Sequence, residues 1–357
     1  MTRLQSLGLS NDIRDAFTTF CGTESELAGE SAGESAEFEL GRVSRVDRGE
    51  VDVLTETGEL RAVSDSQRAQ AQLAPVTGDW VAVAPDEEVG MRVASIFERR
   101  TAMVRRDPAE QVSDQVLVAN IDRVAVVHGL DQAANDARIE RFLVLAIDSG
   151  AEPLIILTKS DLGERSPEYG WLESVAPVIV ASSHPDHAAT DEGIHQLRAT
   201  MNEGDTLVLI GPSGVGKSSL VNALVGECVA ETADVREADR RGRHTTTVRE
   251  LIELPSGGVI IDTPGIRAIG LWAADIALDE VFADIAELAD GCRFRDCTHR
   301  QEPGCAVQAA VSQGQIDDLR LARYQLLWQE LAEQTIDIER RQRAPSTSRR
   351  NKRRRRS

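Results

Sequence analysis

The sequence TLVLIGPSGVGKSSLVNALVG, at residues 206–226, decides the fold of this chain. Four of its first five residues are apolar and predict a buried strand, and the segment after the glycine-rich turn predicts a helix. The turn matches G-x-x-x-x-G-K-[ST] in full, so its backbone N–H groups are expected to cradle nucleotide phosphates at a helix N-terminus. The residues of the turn that we expect to contact nucleotide are Gly211, Pro212, Ser213, Gly214, Val215, Gly216, Lys217, Ser218 and Ser219.

Two side chains of this loop indicate phosphate chemistry, and so does the sequence at the end of a second strand. Lys217 is expected to neutralise the β- and γ-phosphate oxygens, and the Ser218 hydroxyl is expected to hold Mg²⁺. The sequence DTPG at residues 262–265 follows the apolar segment GVII. An aspartate in the place of Asp262 would lie near Mg²⁺, and the backbone amide of Gly265 would reach the γ-phosphate.

The sequence TKSD at residues 158–161 predicts which base is bound, because it fits [NT]-K-x-D with Ser160 at the variable position. The Asp161 carboxylate can accept hydrogen bonds from guanine N1–H and the exocyclic amine, a donor pair that adenine lacks. Leaving a buried acceptor unpaired costs about 1–3 kcal/mol, so this motif selects GTP over ATP. The stem of Lys159 would cover the base plane, and Thr158 stands where many guanine sites have asparagine.

The order of these motifs along the chain is unusual, since Asp161 precedes Gly211 by 50 residues. Apolar runs such as RVAVVHG, PLIILTKSD and GVIIDTPG alternate with helix-like segments, which predicts an α/β fold with a mostly parallel sheet. The sequence VASS at residues 180–183 ends a further run, where a backbone contact to guanine O6 is expected. This order resembles that of the circularly permuted GTPases, so we interpret residues 106–270 as a circularly permuted P-loop GTPase domain.

The residues before this domain divide into two segments. Residues 1–36 are rich in Glu, Ser, Gly and Ala, so we expect a disordered arm. Residues 37–105 alternate apolar and polar residues between turns, which predicts a small β-barrel. An oligonucleotide-binding (OB) barrel is the commonest option of this size, and an SH3-like barrel would give the same pattern.

The cysteines of the C-terminal region predict a metal site. Cys292, Cys297, His299 and Cys305 form the pattern C-x₄-C-x-H-x₅-C. Three thiolates and one imidazole are a closed tetrahedral set for one structural Zn²⁺. We therefore expect residues 271–339 to be a helical zinc-binding domain, with Cys21 and Cys228 as plain thiols.

The charge is distributed unevenly. The net charge is −19, but residues 340–357 carry ten Arg or Lys and no acid, which leaves 30 − 59 = −29 for residues 1–339. A dense basic tail can bind phosphate backbones even when the body is acidic. No long apolar run or signal-peptide pattern is present, so we expect a cytoplasmic protein with no membrane partner.

The candidates for hydrolysis come from the segment before DTPG and from the residue after it. Ile266 stands where many GTPases have the glutamine that orients water, which predicts slow intrinsic hydrolysis that a partner accelerates. The sequence RRGRHTTTVRE contains Thr246, our candidate for the switch threonine, and His244, which could position water. Arg243 and Arg267 are weaker candidates for stabilising charge.

Together, the permuted order and the sequences GPSGVGKSSLVNAL, GRHTTT, DTPG and CRFRDCTHRQEPGC resemble the RsgA/YjeQ family of small-ribosomal-subunit-dependent GTPases. The resemblance implies an OB barrel, a permuted GTPase domain and a zinc domain. It also implies that the protein binds the nearly finished small subunit, contacts its rRNA and leaves after hydrolysing GTP. In that family the counterpart of His244 has been suggested to replace the missing glutamine.

Two other functions remain open from the sequence. The chain could be an RNA-binding module in which nucleotide is only an occupancy signal, or a permuted GTPase that acts on the large subunit. Measured GTP consumption on ribosomal particles separates these from the leading interpretation. No coiled-coil repeat is present, so we expect a monomer.

Overall fold

A computed structural model describes residues 2–28, 37–64, 74–105, 115–184, 186–230, 249–262 and 274–343. The chain forms two compact units, Met1–Gly270 and Leu271–Ser357. In the described ranges, no helix is both long and apolar enough to cross a membrane.

The first unit begins with two helices, α1 (Arg3–Ser6) and α2 (Asn11–Ala28). The expectation of a disordered arm is therefore wrong for residues 2–28. Apolar residues recur here at helical spacing, and Leu7 is fully buried. The phenyl rings of Phe17 and Phe20 both pack edge-on against Phe97 of the following barrel region. The average composition of residues 1–36 concealed this periodicity, because the Glu- and Ser-rich stretch after the apolar residues dominates that average.

A five-stranded barrel comes next. Its strands are β1 (Glu39–Asp47), β2 (Glu50–Thr55), β3 (Glu59–Val63), β4 (Trp80–Asp86) and β5 (Gly90–Ile96). The strands pair in the order β1-β2-β3-β5-β4, and β4 pairs again with β1, so the barrel is closed. Strand β3 pairs parallel with β5, as in the Greek-key barrel of the OB type, whereas the other pairs are antiparallel. Alternate residues point inward and form a small apolar core that includes Val43, Val53 and Val81.

A hairpin of β6 (Ala102–Arg105) and β7 (Gln115–Ala119) leads into the α/β part of the unit. The strands there are β8 (Arg123–Gly129), β9 (Glu152–Thr158), β10 (Val178–Val180), β11 (Thr206–Ile210), β12 (Glu250–Glu253) and β13 (Val259–Asp262). Its helices are α3 (Asp136–Asp148), α4 (Glu192–Thr200) and α5 (Lys217–Val225), with a 3₁₀ helix at Pro167–Ser174.

These strands form one sheet in the order β10-β9-β8-β11-β13-β12. Strands β8 to β11 and β13 run parallel, and β12 is antiparallel to β13. The carboxyl ends of the parallel strands therefore meet at one edge, where ligands bind in open α/β sheets. Strand β12 also pairs with β1 of the barrel, at Arg45 and Glu250, so the barrel continues the sheet.

The second unit is helical around a cysteine-rich loop. Its helices are α6 (Asp275–Val281), α7 (Ala283–Ala289), α8 (Ala306–Ser312) and α9 (Asp318–Arg343). Leu321, Tyr324, Leu327 and Leu331 of α9 are buried at spacings of three and four residues.

Candidate active site

The phosphate loop has the backbone that its glycines permit. Gly211, Gly214 and Gly216 have φ angles of 151°, 83° and 97°, in the region that favours glycine. Gly216 is the N-cap residue of α5, so the positive end of that helix faces the loop. The Lys217 ammonium donates to the carbonyls of Gly211 at 2.9 Å and Pro212 at 2.8 Å. The lysine therefore arches over the concave face of the loop, where phosphates are expected.

The guanine motif is tied to this loop through Thr158, the last residue of β9. Its side chain is fully buried, and its hydroxyl lies 2.5 Å from the Val215 carbonyl of the phosphate loop and 3.2 Å from the His128 carbonyl at the end of β8. A hydroxyl has a single hydrogen to donate, and the shorter contact is the one to Val215. Thr158, which stands where many guanine sites have asparagine, thus links the guanine motif directly to the phosphate loop.

The Asp161 carboxylate is oriented by the loop after β10. The Ser182 hydroxyl donates to Asp161 Oδ1 at 2.7 Å and holds the pKa of that carboxyl below its usual value. Asp191 in turn accepts from the Ser182 backbone at 3.0 Å and caps α4 by accepting from Ile194 N. A carboxylate kept ionised and aimed in this way suits a ligand that presents two N–H donors.

Lys159 has a left-handed backbone with a φ of 60°, which is uncommon for a residue with a side chain. Its ammonium lies 2.7 Å from Asp131 Oδ2, in the turn after β8. About a quarter of each side chain is exposed. This pair directs the lysine stem across the end of β8.

An open cleft of about 920 Å³ is lined by residues of both the guanine motif and the phosphate loop. The guanine motif lines it with Lys159 and Asp161, and the phosphate loop lines it with Gly216 and Ser219. The cleft is large enough for a nucleotide. The structure therefore brings together two segments that are 50 residues apart in the sequence.

Other predicted residues are placed less completely. Asp262 is the half-buried last residue of β13, next to the strand that leads into the phosphate loop. Gly265, His244, Thr246, Ile266, Arg243 and Arg267 lie outside the described residues.

The second unit gathers the four predicted metal ligands, Cys292, Cys297, His299 and Cys305, with their ligand atoms within 4.8 Å of one another. Cys292 Sγ lies 3.9 Å from Cys305 Sγ and 3.6 Å from His299 Nδ1, and Cys305 Sγ lies 3.5 Å from the same nitrogen. Zn–S bonds near 2.3 Å and Zn–N bonds near 2.0–2.1 Å in a tetrahedron require separations of about 3.8 Å between sulfurs and about 3.6 Å from sulfur to nitrogen. The donor set fits a tetrahedral ion.

The surrounding backbone holds these donors in place. The His299 carbonyl accepts from the amide groups of Gln308 and Gln325 at 2.6 and 2.7 Å, and burial lowers the pKa of His299, which keeps the imidazole in its neutral, ligating form. Burial opposes ionisation of Cys292, but backbone amides of α8 outweigh it, so the pKa of its thiol is lowered. Cys305 caps α8 by accepting from Gln308 N.

A sequence profile described as RsgA GTPase matches residues 96–272. A protein of Streptomyces coelicolor named small ribosomal subunit biogenesis GTPase RsgA is 46% identical over 295 residues, which are 81% of this chain and 80% of that protein. The chain belongs to the RsgA GTPase family. A member with the same name from Opitutus terrae is 38% identical over 347 residues, which are 92% of this chain and 90% of that protein.

Two solved structures agree with the fold. The crystal structure of YjeQ from Thermotoga maritima superposes with a TM-score of 0.57 at 26% identity, over 82% of this chain and 99% of that one. The structure of YloQ, a circularly permuted GTPase, superposes with a TM-score of 0.56 at 24% identity, over 87% of this chain and 98% of that one. The permuted α/β fold and the OB-like barrel predicted from the sequence are thereby confirmed, and the chain is a GTPase of this family.

The sequence analysis missed several residues that surround the guanine motif. Asp131 contacts Lys159 from the turn after β8, and Ser182 contacts Asp161 from the loop between β10 and α4, where Asp191 holds the Ser182 backbone. Of these residues, only Ser182 could be suspected from the sequence, because it lies within VASS, where a backbone contact to guanine O6 is expected. His128, buried at the end of β8 and 3.1 Å from the Tyr169 hydroxyl, gave no signal in the sequence.

Proposed function

We propose that this protein is a GTPase of small ribosomal subunit maturation whose hydrolysis of GTP to GDP and phosphate is stimulated by the subunit. The observation that carries the proposal is the contact of Thr158 with Val215, because it joins a guanine-selective motif and a phosphate loop in a single cleft. The names of the relatives supply the partner.

The nucleotide takes its position from two sets of contacts. Asp161 accepts from the guanine edge, Lys159 covers its face and Ser160 continues the turn. The phosphate loop, 211–219, wraps the phosphates with its N–H groups, and Lys217 neutralises the β and γ oxygens. Ser218, with Asp262 nearby, would hold Mg²⁺, which draws charge from the transferring phosphoryl group.

Hydrolysis requires a group that orients water, since Ile266 cannot do so. His244 is our candidate for this role, Thr246 for closing over the γ-phosphate, and the amide of Gly265 for contacting it. All three flank the strands β12 and β13 in sequence, so a partner that binds these segments would act directly on turnover.

In this proposal, the second unit holds the structural Zn²⁺ and contacts rRNA. Cys292, Cys297, His299 and Cys305 would hold one zinc ion, which would fix a loop that exposes Arg293, Phe294 and Arg295. The Arg293 guanidinium lies over the Phe294 ring at 5.4 Å. Guanidinium groups beside an exposed ring suit phosphates and unstacked bases of RNA, and the tail 340–357 adds positive charge.

The sequence has no coiled-coil repeat, which supports a monomer. Because ribosomal subunits mature in the cytoplasm, we place the protein there.

The test is steady-state GTP hydrolysis by the protein alone, with isolated small subunits, and with isolated large subunits. We expect slow hydrolysis that rises at least about tenfold with small subunits only, as expected when a partner completes the catalytic site. Stimulation by large subunits alone would establish the large-subunit alternative, and no stimulation by either would favour the RNA-binding module.

Two variants locate the chemistry in the same assay. His244→Ala should retain GTP affinity and lose the stimulated rate, whereas His195→Ala, which removes an exposed histidine of α4, should behave as the wild type. A stimulated rate that survives in His244→Ala would remove His244 from the mechanism.

A further inference from the structure

The turn after β8 lies against the guanine motif and is built around an ion pair. Leu130 N donates to the Thr158 carbonyl at 2.9 Å, and Gln132 N closes the turn on the Gly129 carbonyl at 3.2 Å. Within this turn, the carboxylate of Asp131 meets the ammonium of Lys159 at 2.7 Å. The turn and the lysine are therefore connected through both backbone and side chain.

Glycines at two positions allow this approach. A Cβ atom on Gly129 would lie 2.5 Å from Asp131 Oδ1 and 3.5 Å from Lys159 Cδ. A Cβ atom on Gly163, at the far end of the guanine loop, would lie 2.2 Å from the Leu130 carbonyl oxygen. The lysine stem consequently passes over Gly129 before its ammonium reaches Asp131.

The backbone of Lys159 also restricts the direction of its stem. Its left-handed φ of 60° is held because Leu162 N and Gly163 N both donate to the Lys159 carbonyl. A lysine side chain free in solvent samples many rotamers, and fixing them on ligand binding costs free energy. A lysine already held by a carboxylate avoids most of that cost.

We propose that Asp131 is a positioning residue for guanine binding, which holds the stem of Lys159 flat across the base pocket before nucleotide arrives. The inference rests on the proposed assignment of Lys159 and Asp161 to the base. Asp131 itself does not touch the nucleotide, and its charge balances the ammonium, so that Asp161 provides the negative charge that faces the guanine donors.

The experiment compares GDP affinity among variants, without ribosomal particles. Asp131→Asn should raise the Kd for GDP about fivefold, the upper range for a partly exposed ion pair. Asp131→Glu, which keeps the charge, should restore most of the affinity. The matched control is Glu173→Gln, which removes a carboxylate 2.9 Å from Arg165, another surface pair of this unit, and should leave the Kd unchanged.

A double-mutant cycle separates positioning from a general structural effect. In a Lys159→Ala background, Asp131→Asn should add no further loss of affinity, because the partner that it positions is gone. With small subunits, Asp131→Asn should raise KM for GTP by a similar factor and leave kcat unchanged.

Two results would overturn the inference alone: a Kd for Asp131→Asn equal to that of Glu173→Gln, or the same fivefold loss on top of Lys159→Ala. Failure of the proposed function looks different. A wild-type protein that binds GDP but ignores small subunits would contradict the proposed function and leave this inference standing, and a wild type that binds no GDP would contradict both.

Discussion

At the scale of single residues, Thr158 shows how a departure from a motif can be accommodated. The side chain is shorter than asparagine by one heavy atom, yet its hydroxyl reaches Val215 of the phosphate loop because β9 ends close to that loop. It also lies within reach of the His128 carbonyl. One buried hydroxyl thus ties the end of β9 to the phosphate loop.

Thr158→Val keeps the shape of the side chain and removes the hydroxyl. We expect the free energy of unfolding to fall by about 1–2 kcal/mol, because the buried Val215 carbonyl loses its donor. We also expect weaker binding of GTP, since the guanine loop is no longer tied to the phosphate loop. Chemical denaturation and nucleotide titration measure the two effects.

The matched control is Thr200→Val, where the lost hydroxyl donates within its own helix, to the Leu197 carbonyl. Equal GTP affinity in the two variants would show that the Thr158 contact has no role in nucleotide binding.

At the scale of elements, the loop from α7 to α8 depends on the Cys₃His set. Most of its side chains are exposed, and His299 and Cys305 are its buried members. Glu302 shapes the turn between them: the Thr298 hydroxyl donates to its carboxylate and lowers its pKa to about 2. Because this loop has so little apolar surface, the zinc ion proposed above would hold it against α8 and α9.

Cys305→Ser should abolish the bound zinc and loosen the second unit, because Cys305 is both a buried ligand and the N-cap of α8. Metal analysis of the purified protein should fall from one zinc per chain to none, with a loss of helical circular dichroism. A chelator should have the same effect on the wild type.

Cys228→Ser replaces an exposed thiol of the first unit and should change neither measurement. An unaltered zinc content in Cys305→Ser would show that the four residues are not the ligands.

At the scale of the first unit, Arg42 joins segments that are far apart in the chain. Only 1% of its surface is exposed. Its guanidinium donates to the carbonyls of Leu7, Gly78 and Asn120 and to the Thr206 hydroxyl. Its guanidinium also lies over the Trp80 ring. These contacts link α1, the barrel and the start of β11. Burial lowers the pKa of Arg42 to about 10, so its hydrogen bonds must offset a substantial desolvation cost.

Arg42→Lys should destabilise the first unit by about 3 kcal/mol or more. A lysine keeps the charge but cannot reproduce the planar fork, so buried carbonyl groups lose their donors at about 1–3 kcal/mol each. Arg61→Lys, on the exposed side of β3, should be nearly neutral. Thermal and chemical unfolding distinguish the two, and similar midpoints would contradict the role of Arg42.

The sequence by itself determined the features that depend on local backbone and on fixed spacing. The phosphate loop, the TKSD and DTPG segments and the Cys₃His pattern are each encoded within a few residues, because the chemistry of a turn is set by its own glycines and donors. Their order along the chain also revealed the permutation, since parallel strands place their carboxyl ends on one edge whatever the connection.

Only the tertiary structure decided which distant residues meet. Composition predicted an arm at residues 1–36, but α2 packs the rings of Phe17 and Phe20 against Phe97, which follows the barrel strands later in the chain. The contacts of Asp131 with Lys159 and of Thr158 with Val215 join loops that sequence reasoning treats separately. Local propensity carries no information about such pairs, because they exist only after the sheet has brought its strand ends together.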